Sequence, residues 1–188
     1  MTKTQYYTAT SIDGFIADRH NSLDWLFEVG DGDAPDNPFG AFFAQVGAFA
    51  MGATTYAWVL EHDALLDQPL KWADYYGDTP AWVFTHRDLP RIPGANLTFV
   101  QGDVRPVHQA MTTAAQGKNL WVVGGGELAG SFADAGLLDE IILGVAPVTL
   151  GAGAPLLPRR LTSSRLSLTS MEQHGPFAYL TYQLSPSS

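Results

Sequence analysis

The chain has 188 residues, of which 46% are hydrophobic and 15% are charged, and this composition excludes a wholly disordered protein. Its 10 lysine and arginine residues against 19 aspartate and glutamate residues give a net charge of -9, which opposes general nucleic-acid binding. There is no cysteine, so disulfides, thiolate nucleophiles and cysteine-based zinc sites are excluded.

The N-terminal segment predicts a strand and no secretory signal. Residues 3–10 are rich in Tyr and Thr, and they end at the turn sequence Ser11-Ile12-Asp13-Gly14. Residues 1–17 alternate polar and apolar side chains and lack the continuous apolar core of a signal peptide. Residues 141–158 are uncharged, but prolines and glycines interrupt them, so they predict a buried strand and a turn. We therefore expect a cytoplasmic protein without a membrane segment.

Helices and strands are predicted to alternate along the rest of the chain. Helices are predicted at 39–46, 54–60, 104–116 and 127–135, and strands at 47–51, 81–85, 97–100, 119–123 and 140–145. The hydroxyls of Thr54 and Thr55 are expected to cap the second helix. Two last strands, 166–171 and 178–184, predict an antiparallel hairpin. The alternation indicates a mainly parallel sheet covered by helices, with ligands at the carboxyl ends of its strands.

The strongest local signal is a glycine-rich turn at residues 121–129, where a predicted strand passes through three glycines into a helix. Glycines let the backbone approach a pyrophosphate, and a helix N-terminus offers free N–H groups. Gly124, Gly126 and Ala129 match the dinucleotide pattern G-x-G-x-x-G/A. However, Asp139 and Glu140 begin the next strand, whereas an ordinary Rossmann domain requires an acid at its end. We therefore reject a Rossmann domain, and a tight turn without a ligand is the alternative at this point.

Four segments occur in a recognisable order, namely 8–17, 51–56, the triple glycine and 145–153. Together they resemble the dihydrofolate-reductase-like superfamily, in the branch of the C-terminal reductase domain of the bifunctional riboflavin-biosynthesis deaminase-reductase. The resemblance extends from about Tyr6 to Tyr182. It implies a single domain over residues 1–188 with a three-layer α/β fold. Helices would flank a mainly parallel central sheet that ends in a C-terminal antiparallel hairpin.

The resemblance also implies NADPH as the cofactor. The residues that it assigns to the cofactor phosphates near the two glycine turns are Gly52, Thr54, Thr55, Gly124, Gly125, Gly126, Glu127, Leu128 and Ala129. It assigns the adenosine 2′-phosphate to Thr85, His86 and Arg87, and a solvated loop is the alternative for the latter two. Ala9 and Ile16 would line the nicotinamide pocket.

Three further residues were weighed for roles near the substrate. Asp36 is the candidate for the carboxylate that supplies a proton during hydride transfer, and a surface capping residue is the alternative. Trp25 is expected to form a wall of the substrate pocket, or else to be a core aromatic. Asp13 is predicted to form a turn and to have no catalytic role.

Two positions depart from the pattern of the related proteins. Ala53 occupies a position that is usually basic, and Glu127 would repel a phosphate unless its side chain points away. The leading hypothesis is an NADPH-dependent reductase that transfers hydride to a small pterin- or pyrimidine-like heterocycle. The alternative is a non-catalytic nucleotide-binding or interaction module that keeps the reductase fold.

The expected partners are a small-molecule substrate and a second copy of the chain. Relatives commonly form dimers, and the uncharged segment 141–157 could contribute to an interface, although burial in the core explains it as well. The histidines are scattered without ligand spacing, so no metal site is predicted. Neither a nucleic-acid nor a membrane partner is expected.

Overall fold

A computed structural model describes residues 1–30 and 37–186, and Asp36 lies outside these ranges. The strands in chain order are β1 Thr4–Thr10, β2 Phe15–Ala17, β3 Val46–Gly52, β4 Ala81–Phe84, β5 Leu97–Val100, β6 Asn119–Gly124, β7 Glu140–Val145, β8 Ala154–Pro155, β9 Leu166–His174 and β10 Phe177–Leu184. Eight of them form one sheet in the order β5-β4-β3-β6-β1-β7-β10-β9, and β2 pairs with β8 in a second, small sheet.

The helices in chain order are α1 Asp24–Val29, α2 Pro38–Phe43, α3 Ala53–His62, α4 Leu70–Tyr76, α5 Val104–Ala114 and α6 Gly126–Asp134. None of these helices is long and apolar enough to cross a lipid bilayer.

The large sheet is parallel from β5 through to β7, and its last two strands are antiparallel. β10 runs against β7 and pairs with β9 in a hairpin, which confirms the predicted C-terminal hairpin. The predicted mainly parallel sheet is confirmed as well. Strand β7 occupies the range 140–145 that the sequence predicted.

Two hydrophobic cores lie on opposite faces of the sheet, because successive side chains of a strand point in opposite directions. Ala48 and Ala50 of β3 belong to the core that α5 and α6 cover. Phe49 and Met51 belong to the other core, which includes residues of α3 and α4. The result is the predicted three-layer arrangement of helices, sheet and helices.

Several predicted boundaries differ from the structure, and four elements were not predicted. The helix predicted at 39–46 ends at Phe43, because Val46 already pairs with Asn119 in the parallel ladder. The short elements α1, α4, β2 and β8 carry too few residues to show a clear period.

The packing of α5 on β3 depends on the absence of a side chain at Gly47. A Cβ there would lie 2.5 Å from the carbonyl oxygen of Ala115 and 2.8 Å from Cβ of Lys118. We expect Gly47→Ala to lower the free energy of unfolding by about 1–3 kcal/mol, because the backbone must shift to accept the methyl group. Urea unfolding at constant m-value measures this change.

Gly40→Ala is the matched control, since Gly40 lies in α2 and a Cβ there would meet nothing within 4 Å. This substitution should leave stability unchanged or raise it by up to about 1 kcal/mol through helix propensity. Equal effects at the two positions would contradict the assigned contact between α5 and β3.

Candidate cofactor and substrate site

Two helices begin side by side at the carboxyl edge of the large sheet. β3 ends at Gly52 and α3 starts at the next residue, whereas β6 ends at Gly124 and α6 starts at Gly126. β3 and β6 are neighbouring parallel strands, and Met51 lies opposite Gly124. The pairing of these strands therefore brings the two helix N-termini together.

No side chain caps either of these helices. The N-cap residues are Gly52 and Gly125, and neither helix start receives a side-chain hydrogen bond. The predicted caps at Thr54 and Thr55 are wrong, because both residues lie inside the first turn of α3. A helix start without a cap leaves backbone N–H donors and the positive end of the helix dipole available to an anion.

A cavity of about 590 Å³ opens beside these helix starts, and we call it the aromatic cavity. The rings that line it belong to Tyr7, Phe39, Trp58, Tyr76 and Trp121. Ala9 and Ile16, which the sequence resemblance assigns to a nicotinamide pocket, line it too. Its volume lies in the range that small-molecule sites usually have.

Short contacts hold the rings of this cavity in place. Trp121 donates a hydrogen bond from Nε1 to the carbonyl oxygen of Tyr7 at 3.1 Å. The Tyr7 ring stacks on Phe42 with 4.4 Å between centroids, and Phe39 meets Trp121 edge-on at 5.3 Å. None of these aromatic residues was predicted from the sequence to belong to the site. Tyr7 could have been placed on one face of the sheet from the sequence, because side chains alternate along β1 and direct Tyr6 and Tyr7 to opposite faces.

A second cavity of about 540 Å³ adjoins the first, and we call it the Arg87 cavity. Thr85, His86 and Arg87 line it, as expected for the group that follows β4. The residues that line both cavities are Gly52, Ala53, Thr54, Glu127 and Leu128. The starts of α3 and α6 thus form the boundary between the two cavities.

The Arg87 cavity offers one exposed guanidinium. None of the ion pairs within residues 1–30 and 37–186 involves Arg87. Thr85 fixes the turn, since its Oγ1 accepts from Arg87 N at 2.9 Å and donates to Arg87 O at 3.1 Å. His86 Nδ1 lies 3.0 Å from Gln101 Oε1. Arg87 is therefore the cation of this group that is free to pair with an anion.

Glu127 is neutralised by a nearby arginine. Arg159 Nη1 donates to Glu127 Oε2 at 3.0 Å, and Arg159 Nε donates to Asp134 Oδ2 at 2.7 Å. These carboxylates raise the pKa of the Arg159 guanidinium. Arg159 can approach α6 closely because Gly130 has no side chain there, and a Cβ would lie 2.7 Å from its Cζ. The acidic residue after the triple glycine is thus paired within the protein, with an arginine that it shares with Asp134.

Three of the expected site residues have structural roles or positions away from the cavity walls. Gly126 must be glycine for packing, because a Cβ there would lie 2.3 Å from the carbonyl oxygen of Pro155. Ala129 is fully buried in the core and lines neither cavity. Trp25 is buried on α1 and is not among the described residues that line the aromatic cavity.

No group of three or more potential metal ligands occurs in residues 1–30 and 37–186.

Comparison with known proteins identifies the family. The family described as the RibD C-terminal domain matches residues 2–179. The chain belongs to the RibD C-terminal domain family. The resemblance deduced from the ordered motifs is therefore confirmed. YwjB of Bacillus subtilis, an uncharacterised protein, is 33% identical over 181 residues, which cover 96% of this chain and 97% of YwjB.

Solved structures of related proteins have the same fold. A Shewanella sp. PV-4 protein, provisionally described as a riboflavin biosynthesis protein, is 26% identical with a TM-score of 0.77, and the match covers 98% of this chain and 99% of that one. Acinetobacter baumannii RibD is 17% identical with a TM-score of 0.68, and the match covers 98% of this chain and 58% of that one. Dihydrofolate reductase from Enterococcus faecalis, complexed with NADP(H), is 14% identical with a TM-score of 0.53, over 97% and 96% of the chains. These last two likenesses show the dihydrofolate-reductase-like fold alone.

Asp13 ties the loop after β1 to the loop before β8. Its carboxylate accepts hydrogen bonds from Ser11 Oγ at 2.7 Å, Leu150 N at 3.0 Å and Gly151 N at 2.7 Å. These bonds lower the pKa of Asp13 to about 2, with the Ser11 hydroxyl contributing most. Asp13 thus acts as the predicted turn former and also connects two distant segments beside the cavity.

We expect the stability contribution of Asp13 to depend on pH. Because the folded-state pKa is lower than the unfolded one, the contribution is full above about pH 4 and is lost as the pH falls toward about 2. The difference in unfolding free energy between wild type and Asp13→Ala, measured in urea at pH 6 and pH 2.5, should therefore shrink at the lower pH. A difference that stays constant would show that the carboxylate charge does not support this loop connection.

Proposed function

We propose that the protein is an NADPH-dependent reductase that transfers hydride to a small heterocyclic substrate. The observation that carries this proposal is the pair of uncapped helix starts, α3 and α6, on the boundary between the two cavities. An extended dinucleotide needs one region for its reactive ring, one for its pyrophosphate and one for its adenosine phosphate. The two cavities and the boundary between them provide three such regions in that order.

The residues present fit the cofactor in each region. Backbone N–H groups at the starts of α3 and α6 would hold the pyrophosphate, because these donors lack side-chain caps. Ala9 and Ile16 would support the nicotinamide ring in the aromatic cavity. Arg87 would pair with the adenosine 2′-phosphate, a group that NADH lacks.

The pairing of Glu127 with Arg159 supports the proposal. An uncompensated carboxylate at the start of α6 would repel the pyrophosphate, whereas the Arg159 guanidinium 3.0 Å away offsets that charge. Ala53 lines both cavities without contributing a charge. The chain would therefore hold the pyrophosphate through backbone donors and helix dipoles more than through cationic side chains.

Bound NADPH would supply a hydride to the carbon of a substrate C=N bond, whose nitrogen must then take up a proton. Burial raises the pKa of Tyr76 to about 12 and also raises the pKa of Tyr7. Both tyrosines line the aromatic cavity, where their rings would contact a substrate. Asp36 is our proposed source of the proton, on the sequence resemblance alone.

Arg87 should determine the preference for NADPH over NADH. We expect Arg87→Gln to weaken NADPH binding about tenfold, because one charge-assisted pair with the 2′-phosphate is lost at an exposed site. NADH binding should change less than twofold. Quenching of tryptophan fluorescence, together with energy transfer to the reduced nicotinamide, measures both affinities.

Arg160→Gln is the control for this substitution, since Arg160 is exposed and is not among the described residues that line the two cavities. It removes the same charge from the protein and should leave both affinities nearly unchanged. If wild-type protein binds neither nucleotide, the reductase proposal fails.

Asp36→Asn separates binding from turnover. If Asp36 supplies the proton, this substitution should lower kcat by about 100-fold with an established substrate, since general acid catalysis contributes about that much. The dissociation constant for NADPH should stay within about twofold. Unchanged turnover would remove Asp36 from the mechanism, and NADPH binding without any turnover by the wild type would favour the non-catalytic module.

A further inference from the structure

The aromatic cavity has no positive charge on its described walls. Lysine, arginine and histidine are all absent from the described lining residues, and the ionised carboxylate there is that of Glu127. Residues 31–36 and 187–188, which lie outside the described ranges, contain only Asp, Gly, Ala, Pro and Ser. The chain therefore has no cation in those segments that could be added to this cavity.

A phosphorylated substrate would bind poorly in such a cavity. Moving a phosphate dianion out of water is costly unless a cation or a set of donors replaces its hydration. Under the proposed function, the donors at the starts of α3 and α6 hold the cofactor pyrophosphate, and Arg87 faces the other cavity. The net charge of -9 opposes a further anion as well.

The walls of the aromatic cavity instead suit a flat ring. Trp121 and Phe39 are packed edge-on at 5.3 Å, and the bond from Trp121 Nε1 to Tyr7 O fixes the indole. Aromatic walls contact a planar heterocycle over a large area with little loss of side-chain freedom. This recognition requires no charge on the ligand.

We propose that the substrate of this site is an uncharged, flat heterocycle without a phosphate group. This inference rests on the proposed reductase function for the location of the cofactor, and it deepens that function by naming the substrate class.

A matched pair of ligands tests the charge of the substrate. Isothermal titration calorimetry of NADP⁺-saturated protein would compare 6-hydroxymethyl-7,8-dihydropterin with its phosphate monoester, which carries the same ring. We expect the monoester to bind at least tenfold more weakly. Equal or tighter binding of the monoester overturns the proposal, and so does the failure of the uncharged pterin to bind.

The failure of this proposal is distinguishable from failure of the proposed function. NADPH binding is measured first and in the absence of pterin, so its loss counts against the reductase alone. In that case the two pterins are titrated against the nucleotide-free protein, where the difference in affinity still tests the uncharged cavity. Discrimination against the phosphate in the presence of normal NADPH binding supports both proposals.

Discussion

The parallel pairing of β3 with β6 is the constraint on which the rest of the site depends. Each strand ends in glycine and passes directly into a helix, so the register that places Met51 opposite Gly124 also places two helix starts together. A glycine at each N-cap leaves the first backbone N–H groups without side-chain partners. The same hydrogen-bond ladder that stabilises the sheet thus creates a concentrated set of donors at its edge.

The electrostatics of the site follow from this use of backbone in place of side chains. A protein with a net charge of -9 has few cations to direct toward a polyanionic ligand. Arg159 is used to offset Glu127 and Asp134, and Arg87 stands in the neighbouring cavity. Helix dipoles are part of the fold and do not add to the net charge, so they suit the phosphate binding that we propose for this acidic protein.

The sheet and the glycine turn could be predicted from the sequence because their signals are local. The short apolar run in residues 140–145 predicts a strand without further information. Three consecutive glycines before a helix can likewise be recognised without knowing which residues pack against them. The aromatic walls could not be predicted in this way. Tyr7 and Trp121 are 114 positions apart and meet only because β1 lies beside β6.

Other errors have equally specific physical causes. Thr54 and Thr55 have the right chemistry for a cap, but the N-cap of α3 is Gly52, two residues before Thr54. Gly126 fits a cofactor motif by spacing and lines the aromatic cavity, and the carbonyl of Pro155 adds a packing reason for its lack of a side chain that the sequence did not show. The effect of Glu127 on a phosphate depended on Arg159, a partner that is distant in sequence.

The position of β1 in the sheet has a consequence for the order in which the protein can fold. The first strand pairs with β6 and β7, which begin at Asn119 and Glu140, and therefore finds neither neighbour until the ribosome has made most of the chain. Until then β3 also lacks β6 on one side, and both strands have open edges. Such non-local pairing slows folding and lengthens the exposure of nascent strands to other chains. In a ribosome-bound chain that stops before Asn119, the first strand therefore has neither of its partners in the sheet.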